Sequence, residues 1–189
     1  MWLFLWEKRV LFSAGGIGLT ERTEKWYADK HEAALNDCRK GMICIKIEKA
    51  TSADVKAAFS LMMKLWPGGD AAERTAEMEQ MVAGPEAAIL LAWEEERAVG
   101  YAQCQLRHDY VEGCASSPVG YLEGIYVEGE YRGKGVDAAF LEACHQWSRS
   151  MGCTEFASDC ELEIEANLHF HLKNGFEEAN RIICFVKRL

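Results

Sequence analysis

A glycine-rich, basic turn near the middle of the chain combines residue types that can bind phosphate. The stretch YVEGEYRGKGVDAAFLEA places the end of a predicted strand, the turn Arg132-Gly133-Lys134-Gly135 and the start of a predicted helix in that order. Such a turn presents backbone N–H groups and the positive end of a helix dipole, and both attract an anion. The Gly-x-x-x-x-Gly-Lys-Ser/Thr spacing of a P-loop is absent. We therefore expect a pyrophosphate-bearing ligand here, although many glycine turns between a strand and a helix bind nothing.

Two carboxylates lie in or directly after predicted apolar strands. Glu123 interrupts the apolar run YLEGIYV, and a buried carboxylate without a partner is costly. A functional partner for Glu123 is therefore the favoured interpretation. Asp159 follows Ser158 at the end of another predicted strand, where Asp is also common as a turn or capping residue.

Hydrophobic periodicity from Met42 onward indicates an α/β chain whose central hairpins make the sheet mixed. Glycine and proline mark most of the element ends. The predicted elements are a strand at 42–50, a helix capped by Thr51 or Ser52 and stopped at Pro67, a helix from Asp70 to about Val82, strands at 87–93, 98–107 and 119–127, a helix from Val136 to Gly152, a strand at 154–159, a short helix around 164–173 and a final strand near Arg181 to Val186.

Residues 1–41 differ from the rest of the chain. They open with an apolar, aromatic cluster, continue through a glycine-rich stretch and end in a polar segment. The charges follow the apolar cluster instead of preceding it, which disfavours a secretion signal. We interpret residues 1–41 as an N-terminal extension outside the core fold, and residues 42–189 as the folded domain.

The charge balance narrows the class of partner. The 189 residues carry 21 Lys and Arg against 30 Asp and Glu, a formal net charge of -9, and none of this excess acidity lies in residues 1–41. An acidic surface repels a phosphate backbone, so no nucleic-acid partner is expected, and a small cationic substrate is favoured. The apolar stretch 2–19 is interrupted by Glu7, Lys8 and Arg9, short of the roughly 20 apolar residues that span a membrane. No membrane partner is expected either.

The cysteines indicate the compartment. Eight are present without a Cys-x-x-Cys pair, so the sequence predicts neither a zinc site nor a redox pair, and no metal. Several occupy apolar positions of periodic segments, where a free Cys behaves as a small buried hydrophobe. We interpret them as reduced thiols of a cytoplasmic protein.

The motif around the basic turn resembles a known family. Arg132-x-x-Gly135 after LEGIYV resembles the acyl-CoA pyrophosphate loop of the GCN5-related N-acetyltransferases (GNAT), and NGFEEANRIICFVKRL resembles their final strand pair. LWPGG, RHDYVEGCASSPVGYLEGIYV and EFASDCEL resemble the aminoglycoside 6′-N-acetyltransferases of that superfamily. The resemblance covers essentially all of residues 42–189. It implies a GNAT fold, with a mixed central sheet flanked by helices, and acetyl-CoA as co-substrate.

The resemblance assigns the cofactor residues. In that family the strand that matches Ile125, Tyr126 and Val127 binds the pantetheine arm through its backbone, and one N–H there polarises the thioester carbonyl. The same resemblance places the pyrophosphate on the following turn and helix start, which comprise Arg132, Gly133, Lys134, Gly135, Val136 and Asp137.

The resemblance also implies an aminoglycoside pocket. Residues that match Trp66, Tyr110, Glu123 and Asp159 line it, because carboxylates near aromatic faces bind the ammonium groups of a polyamino sugar. Glu123 and Asp159 are expected to be catalytic as well, since one of them must help the reacting amine lose a proton. His171 stands where many relatives carry a Tyr that protonates the departing thiolate, and is the third expected catalytic residue. Trp66, at a helix end, is equally suited to sealing the core.

Two departures from the family pattern keep other functions open. Asp137 replaces the usual Gly or Ala at the end of the loop, and Ile164 replaces a usual Asn. Besides direct acetyl transfer to an aminoglycoside, the alternatives are transfer to a polyamine or a protein amine, and a non-catalytic acyl-CoA-binding module. No Cys–His pair suggests a covalent acyl-enzyme. A homodimer is expected because relatives usually form one.

Overall fold

A five-stranded mixed β-sheet forms the centre of the computed structural model, which describes residues 45–188. The strands lie side by side in chain order, and the first three pairs are antiparallel while the last is parallel. They are β1 (Ile45–Lys49), β2 (Ala87–Glu94), β3 (Arg97–Arg107), β4 (Val119–Val127) and β5 (Phe156–Ser158). The prediction of an α/β chain with a mixed sheet is confirmed.

Four α-helices of the described residues surround the sheet. They are α1 (Val55–Leu65), α2 (Ala71–Ala83), α3 (Val136–Ser150) and α4 (Glu165–Lys173), with short 3₁₀ turns at Ser52–Asp54 and Gly129–Tyr131. Local capping explains several of the helix ends. Asp70 accepts a hydrogen bond from the Glu73 N–H at 2.9 Å and so begins α2. Gly152 follows α3 in the left-handed conformation, with φ of +88°, and ends it.

The helices cover both faces of the sheet. On one face α1 and α2 pack against Ile89, Leu91 and Tyr101, and on the other α3 packs against Leu90 through residues such as Phe140. Successive side chains of a strand point to opposite faces. The uninterrupted apolar run of β2 is therefore buried from both sides.

The predicted final strand near Arg181 to Val186 is wrong for this structure. Residues 176–188 contain neither helix nor strand. The three residues of β5 pair with β4, and nothing in residues 45–188 pairs with the other edge of β5. Within residues 45–188 the apolar side chains of the segment enter no core, and Ile182, Ile183, Phe185 and Val186 are 71 to 92% exposed.

The N-terminal prediction cannot be compared with the structure, since residues 1–41 lie outside the described residues. The first predicted strand appears as β1, although Ile43 also precedes the described part. Among the helices of residues 45–188, none combines the length and apolar character that crossing a bilayer requires.

Candidate active site

A β-bulge in β4 places the first predicted carboxylate. Gln103 of β3 pairs with Gly124, while the next residue, Cys104, pairs with Leu122. Glu123 is therefore the extra residue of the bulge, and a bulge re-aims the side chain that it carries. The apolar strand stays paired with β3 on both sides of Glu123, with its register shifted by one residue at the bulge.

Glu123 has a charged partner that the sequence did not reveal. Arg107 donates from Nη2 to both carboxylate oxygens at 2.9 Å and from Nε to Oε1 at 3.1 Å, and Gln105 donates to Oε1 at 2.7 Å. The Glu123 side chain is only 14% exposed. Burial raises the pKa of Glu123 above its usual value, and the Arg107 guanidinium opposes this rise. Of these bonds Oε2 accepts one, which leaves it the capacity to accept a hydrogen bond from a ligand.

The second predicted carboxylate belongs to the same network. The hydroxyl of Tyr121 donates to Oδ1 of Asp159 at 2.6 Å, and the Arg107 guanidinium carbon lies 3.3 Å from the centroid of the Tyr121 ring. Burial and the nearby Asp159 carboxylate raise the pKa of Tyr121. The structure thus joins Glu123 and Asp159 through one arginine and one tyrosine.

Trp66 forms a wall beside this network. Its ring lies directly over Gly124, since a Cβ at that glycine would stand 2.5 Å from the ring carbons. The same ring makes an edge contact with Tyr101, with centroids 6.5 Å apart. Trp66 therefore borders Glu123 and also packs on the core, so both of its expected roles fit the geometry.

Tyr110 lies apart from the cluster in the loop between β3 and β4. Its side chain is 78% exposed, and a hydrogen bond with Glu112 in the same loop raises its pKa. Glu155 fastens the far part of that loop by accepting hydrogen bonds from the N–H groups of Ala115 at 2.9 Å and Ser116 at 2.6 Å. The part of Tyr110 in substrate binding stays a prediction.

His171 reaches the end of β5 beside Asp159. Its Nδ1 lies 2.7 Å from the carbonyl oxygen of Asn167, and its Nε2 lies 3.0 Å from Oγ of Ser158. Nδ1 faces a carbonyl and must carry a hydrogen, and the single hydrogen of the Ser158 hydroxyl can point to Nε2 or away from it. When it points away, Ser158 donates to the carbonyl oxygen of Leu122 on β4 at 3.1 Å and accepts from Nε2. A proton relay from His171 would pass through this serine.

The expected cofactor strand presents an open edge. β5 pairs with β4 at Gly120, Tyr121 and Leu122 and no further. Within residues 45–188, the β5-facing edge of β4 is therefore unpaired from Glu123 to Val127. An unpaired strand edge offers N–H and C=O groups to an extended ligand.

The backbone of this edge alternates between two directions. The N–H of Glu128 donates to the Val99 carbonyl on β3 at 2.9 Å, whereas the Val127 carbonyl accepts from Nε of Arg132 at 2.8 Å. Because alternate residues of an antiparallel strand face the same neighbour, Ile125 and Val127 present their backbone to the open edge. Tyr126 presents its backbone to β3.

The basic turn has the conformation that a phosphate loop requires. Gly133 and Gly135 have φ of +70° and +81°, and a Cβ at either would meet nothing within 4 Å. Gly135 is the N-cap of α3, and no side chain caps this helix start. Its first N–H groups therefore have no side-chain cap and lie at the positive end of the helix dipole. The Val136 side chain is buried in the core, so only its backbone could contact a ligand.

The charged residues of the turn are partly committed. Arg132 holds the Val127 carbonyl, and Nζ of Lys134 lies 5.5 Å from the centroid of the Tyr131 ring. Asp137 sits in the first turn of α3, where a carboxylate stabilises the helix dipole. Its charge therefore has a structural role as well as an unfavourable one toward a phosphate.

Sequence reasoning missed Arg107, Gln105 and Tyr121. The alternation of polar and apolar residues in QCQLR, residues 103–107, was visible and indicates one polar face of a strand. Which carboxylate that face meets depends on the register across the bulge. Among residues 45–188 no group of three or more His, Cys, Asp or Glu is arranged to hold a metal ion.

Comparison with known proteins shows which family and which enzymes the chain is similar to. Residues 55–176 match the family described as Acetyltransferase (GNAT). The chain is 44% identical over 140 residues to the aminoglycoside N(6′)-acetyltransferase type 1 of Stenotrophomonas maltophilia, which is 74% of this chain and 90% of that protein. It is 34% identical over 145 residues to the protein of that name from Acinetobacter haemolyticus, covering 77% and 99% of the two chains.

A solved structure shows the same fold. AAC(6′)-Iy in complex with the bisubstrate analogue CoA-S-monomethyl-acetylneamine superposes with a TM-score of 0.74 at 34% identity. The match covers 77% of this chain and 99% of that one.

Proposed function

This chain is a member of the GNAT acetyltransferase family, related to the type 1 aminoglycoside N(6′)-acetyltransferases, and we propose that it transfers the acetyl group of acetyl-CoA to the 6′-amino group of aminoglycosides. The observation that carries this proposal is the layout of β4. One end holds the Glu123 and Asp159 network, and the other leads along an open backbone edge to the Gly135 turn.

The residues of the second region fit acetyl-CoA. The backbone groups of Ile125 and Val127 suit the amides of a pantetheine arm, and the start of α3 at Gly135 suits a pyrophosphate. When bound, acetyl-CoA supplies an activated thioester. A backbone N–H at the open edge would stabilise the negative charge that develops on the thioester oxygen.

The carboxylates act on the acceptor. Glu123 and Asp159 hold ammonium groups of the polyamino sugar beside the Trp66 wall, and Oε2 of Glu123 accepts the proton of the reacting amine directly or through water. A bond then forms between the amine nitrogen and the acetyl carbon, and the carbon–sulfur bond breaks. His171 returns a proton to the sulfur through the Ser158 hydroxyl.

Direct transfer is favoured over a cysteine acyl-enzyme. Burial raises the pKa of the thiols of Cys104, Cys153 and Cys160, which makes each a weaker nucleophile at neutral pH. This disfavours these three thiols as acyl carriers and supports the acceptor amine as the nucleophile.

Two alternatives remain distinguishable by experiment. In the first, a polyamine or a protein amine uses the same carboxylates. In the second, the chain is a module that binds acyl-CoA without transfer, which the departures from the family pattern at Asp137 and the exposed Ile164 favour. A thiol-release assay with acetyl-CoA and kanamycin, tobramycin or spermidine separates the three. We expect thiol release with the aminoglycosides. Thiol release with spermidine alone would support transfer to a polyamine. No thiol release despite acetyl-CoA binding would support a non-catalytic acyl-CoA-binding module.

The exposed C-terminal segment supports a homodimer. Ile182, Ile183, Phe185 and Val186 form an apolar segment that stays exposed among residues 45–188, and a second copy could bury it. Light scattering after size exclusion should give twice the chain mass. A monomer at micromolar concentration would contradict this proposal.

Location and physiological role complete the proposal. The six cysteines of residues 45–188 are all free, as expected in a reducing cytoplasm, where acetyl-CoA is available. Acetylation removes a positive charge from the antibiotic, so expression of the chain should confer aminoglycoside resistance. The inhibitory concentration of tobramycin for cells expressing the chain tests this, and an unchanged value would contradict it.

A further inference from the structure

One arginine contacts both arms of the carboxylate network. Arg107 makes its three hydrogen bonds with Glu123 and lies against the face of Tyr121, the residue that binds Asp159. Such a planar, fork-shaped contact with a carboxylate, combined with stacking on a ring, is specific to arginine. The Arg107 side chain is 29% exposed, so its charge is partly desolvated.

A second pair on the same strand shows what an ordinary contact looks like. Arg97, the first residue of β3, pairs with Glu130 at 2.9 Å, and the two side chains are 58% and 59% exposed. Pairs of this kind contribute little, because water screens both charges. Chemically identical partners thus occur at the two ends of β3 in different surroundings.

Among residues 45–188, Arg107 is the cation that faces Glu123. From β3 it is approached by Arg107 and Gln105, with the buried Tyr101 and Cys104 also close enough to sense its charge. These four come from one strand. From β4 it is approached by Tyr121, and beyond β5 by the like-charged Asp159. From α1 the neighbour is the uncharged Trp66, over Gly124.

We propose that Arg107 is a positioning residue for the acceptor: it fixes the Glu123 carboxylate in one orientation, braces Asp159 through Tyr121, and cancels one of the two negative charges that the acceptor meets. The inference rests on the proposed function for the identity of that acceptor. With Arg107 in place the two carboxylates carry one surplus negative charge, which one ammonium group of the acceptor neutralises. The reacting amine can then lose its proton without facing a second uncompensated carboxylate.

Loss of Arg107 should change the pH dependence of the reaction. An opposite charge at this distance lowers the pKa of a carboxyl group by about 1 to 3 units. Without it, Glu123 keeps its proton to higher pH, so fewer molecules carry the ionised carboxylate at neutral pH. The acidic limb of kcat/KM for the acceptor should move upward.

The test compares pH profiles of kcat/KM for neomycin at saturating acetyl-CoA. Arg107→Met should move the acidic limb of this profile to higher pH by about one pH unit or more. Arg107→Lys, which keeps the charge and loses the fork, should keep the limb near its original position and lower kcat/KM. The double variant Arg107→Met/Glu123→Gln should lose clearly less than the product of the two single losses, because Arg107 acts mainly through Glu123 and only its brace on Asp159 is left to lose. Arg97→Met is the matched control and should overlay the wild type.

An unmoved limb in Arg107→Met would overturn the inference, and so would losses that multiply in the double variant. Thermal unfolding and the KM for acetyl-CoA show whether each variant is folded. If Arg107→Met does not fold, Arg107→Lys decides, and wild-type kcat/KM in that variant would overturn the inference.

A different result would contradict the proposed function. If Glu123→Gln leaves neomycin turnover unchanged, the acceptor site lies elsewhere. Carbon-13 NMR titration of the Glu123 carboxyl in the free protein still tests the contact with Arg107 without turnover. An upward shift of this titration in Arg107→Met supports the inference, and an identical titration overturns it.

Discussion

The two ends of strand β4 are built by different means. Around Tyr121 and Glu123 the surface consists of charged and aromatic side chains held by one another. From Ile125 to Gly135 it consists of the open strand edge at Ile125 and Val127 and the left-handed glycines Gly133 and Gly135. Side-chain charge selects a cation, and oriented N–H groups select a phosphate. The first end should therefore respond to changes of side-chain charge, and the second to changes of backbone conformation.

Removal of one carboxylate should have the largest effect. A hydrogen bond between a carboxylate and an ammonium group contributes roughly 1.5–3 kcal/mol, so Glu123→Gln or Asp159→Asn should lower kcat/KM for an aminoglycoside about 10- to 150-fold. Glu123→Gln should mainly reduce kcat, and Asp159→Asn should mainly raise KM. The KM for acetyl-CoA should stay unchanged in both. Less than twofold change in kcat/KM for both variants would place the acceptor elsewhere.

Gly135→Asp should affect the other end. The new side chain adds a charge where the phosphates are expected, and the KM for acetyl-CoA should rise about tenfold or more, the equivalent of ~1.4 kcal/mol. Gly152→Asp is the matched control, since it has a similar φ of +88° and equally open space at the opposite end of α3. Both variants carry backbone strain, and only Gly135→Asp should change this KM. Equal KM values for acetyl-CoA in the two variants would show that acetyl-CoA does not bind at this turn.

Gly124→Ala tests the boundary between the two regions. The added Cβ would overlap the Trp66 ring, and such overpacking costs about 1–3 kcal/mol of stability. The displaced ring should raise the KM for the aminoglycoside severalfold. Gly129→Ala, where a Cβ meets nothing within 4 Å, should stay within about 0.5 kcal/mol of the wild type. Thermal unfolding measures the loss of stability, and steady-state kinetics measure the KM for the aminoglycoside. If this KM equals that of Gly129→Ala, Trp66 does not line the acceptor pocket.

Deletion of residues 1–41 should have the smallest effect. Both regions of β4 and the partners described for them lie within residues 45–188, and the relatives align over about three quarters of this chain. The protein that starts at Met42 should unfold cooperatively and keep both KM values within about twofold. Loss of cooperative unfolding would show that the extension belongs to the core.

The sequence predicted the elements better than the contacts between them. β4 and α3 carry long periodic patterns with clear ends, and the structure places them at 119–127 and 136–150. The bulge at Glu123 and its pairing with Arg107 depend on the register between two strands, which no local pattern specifies. The segment Arg181 to Val186 has a strand-like pattern, yet pairs with no strand among the described residues. A hydrophobic pattern indicates which side chains need burial, but it does not indicate the surface against which they are buried.

The most direct test of the account compares two antibiotics that differ at the reacting position. Neomycin carries an amine at its 6′ position, and paromomycin carries a hydroxyl there. With acetyl-CoA and the full chain, mass spectrometry should show one added acetyl group on neomycin, NMR should place it on the 6′ nitrogen, and paromomycin should remain unmodified. Acetylation of both antibiotics at another amine, or of neither, would contradict 6′-N-acetylation by this site.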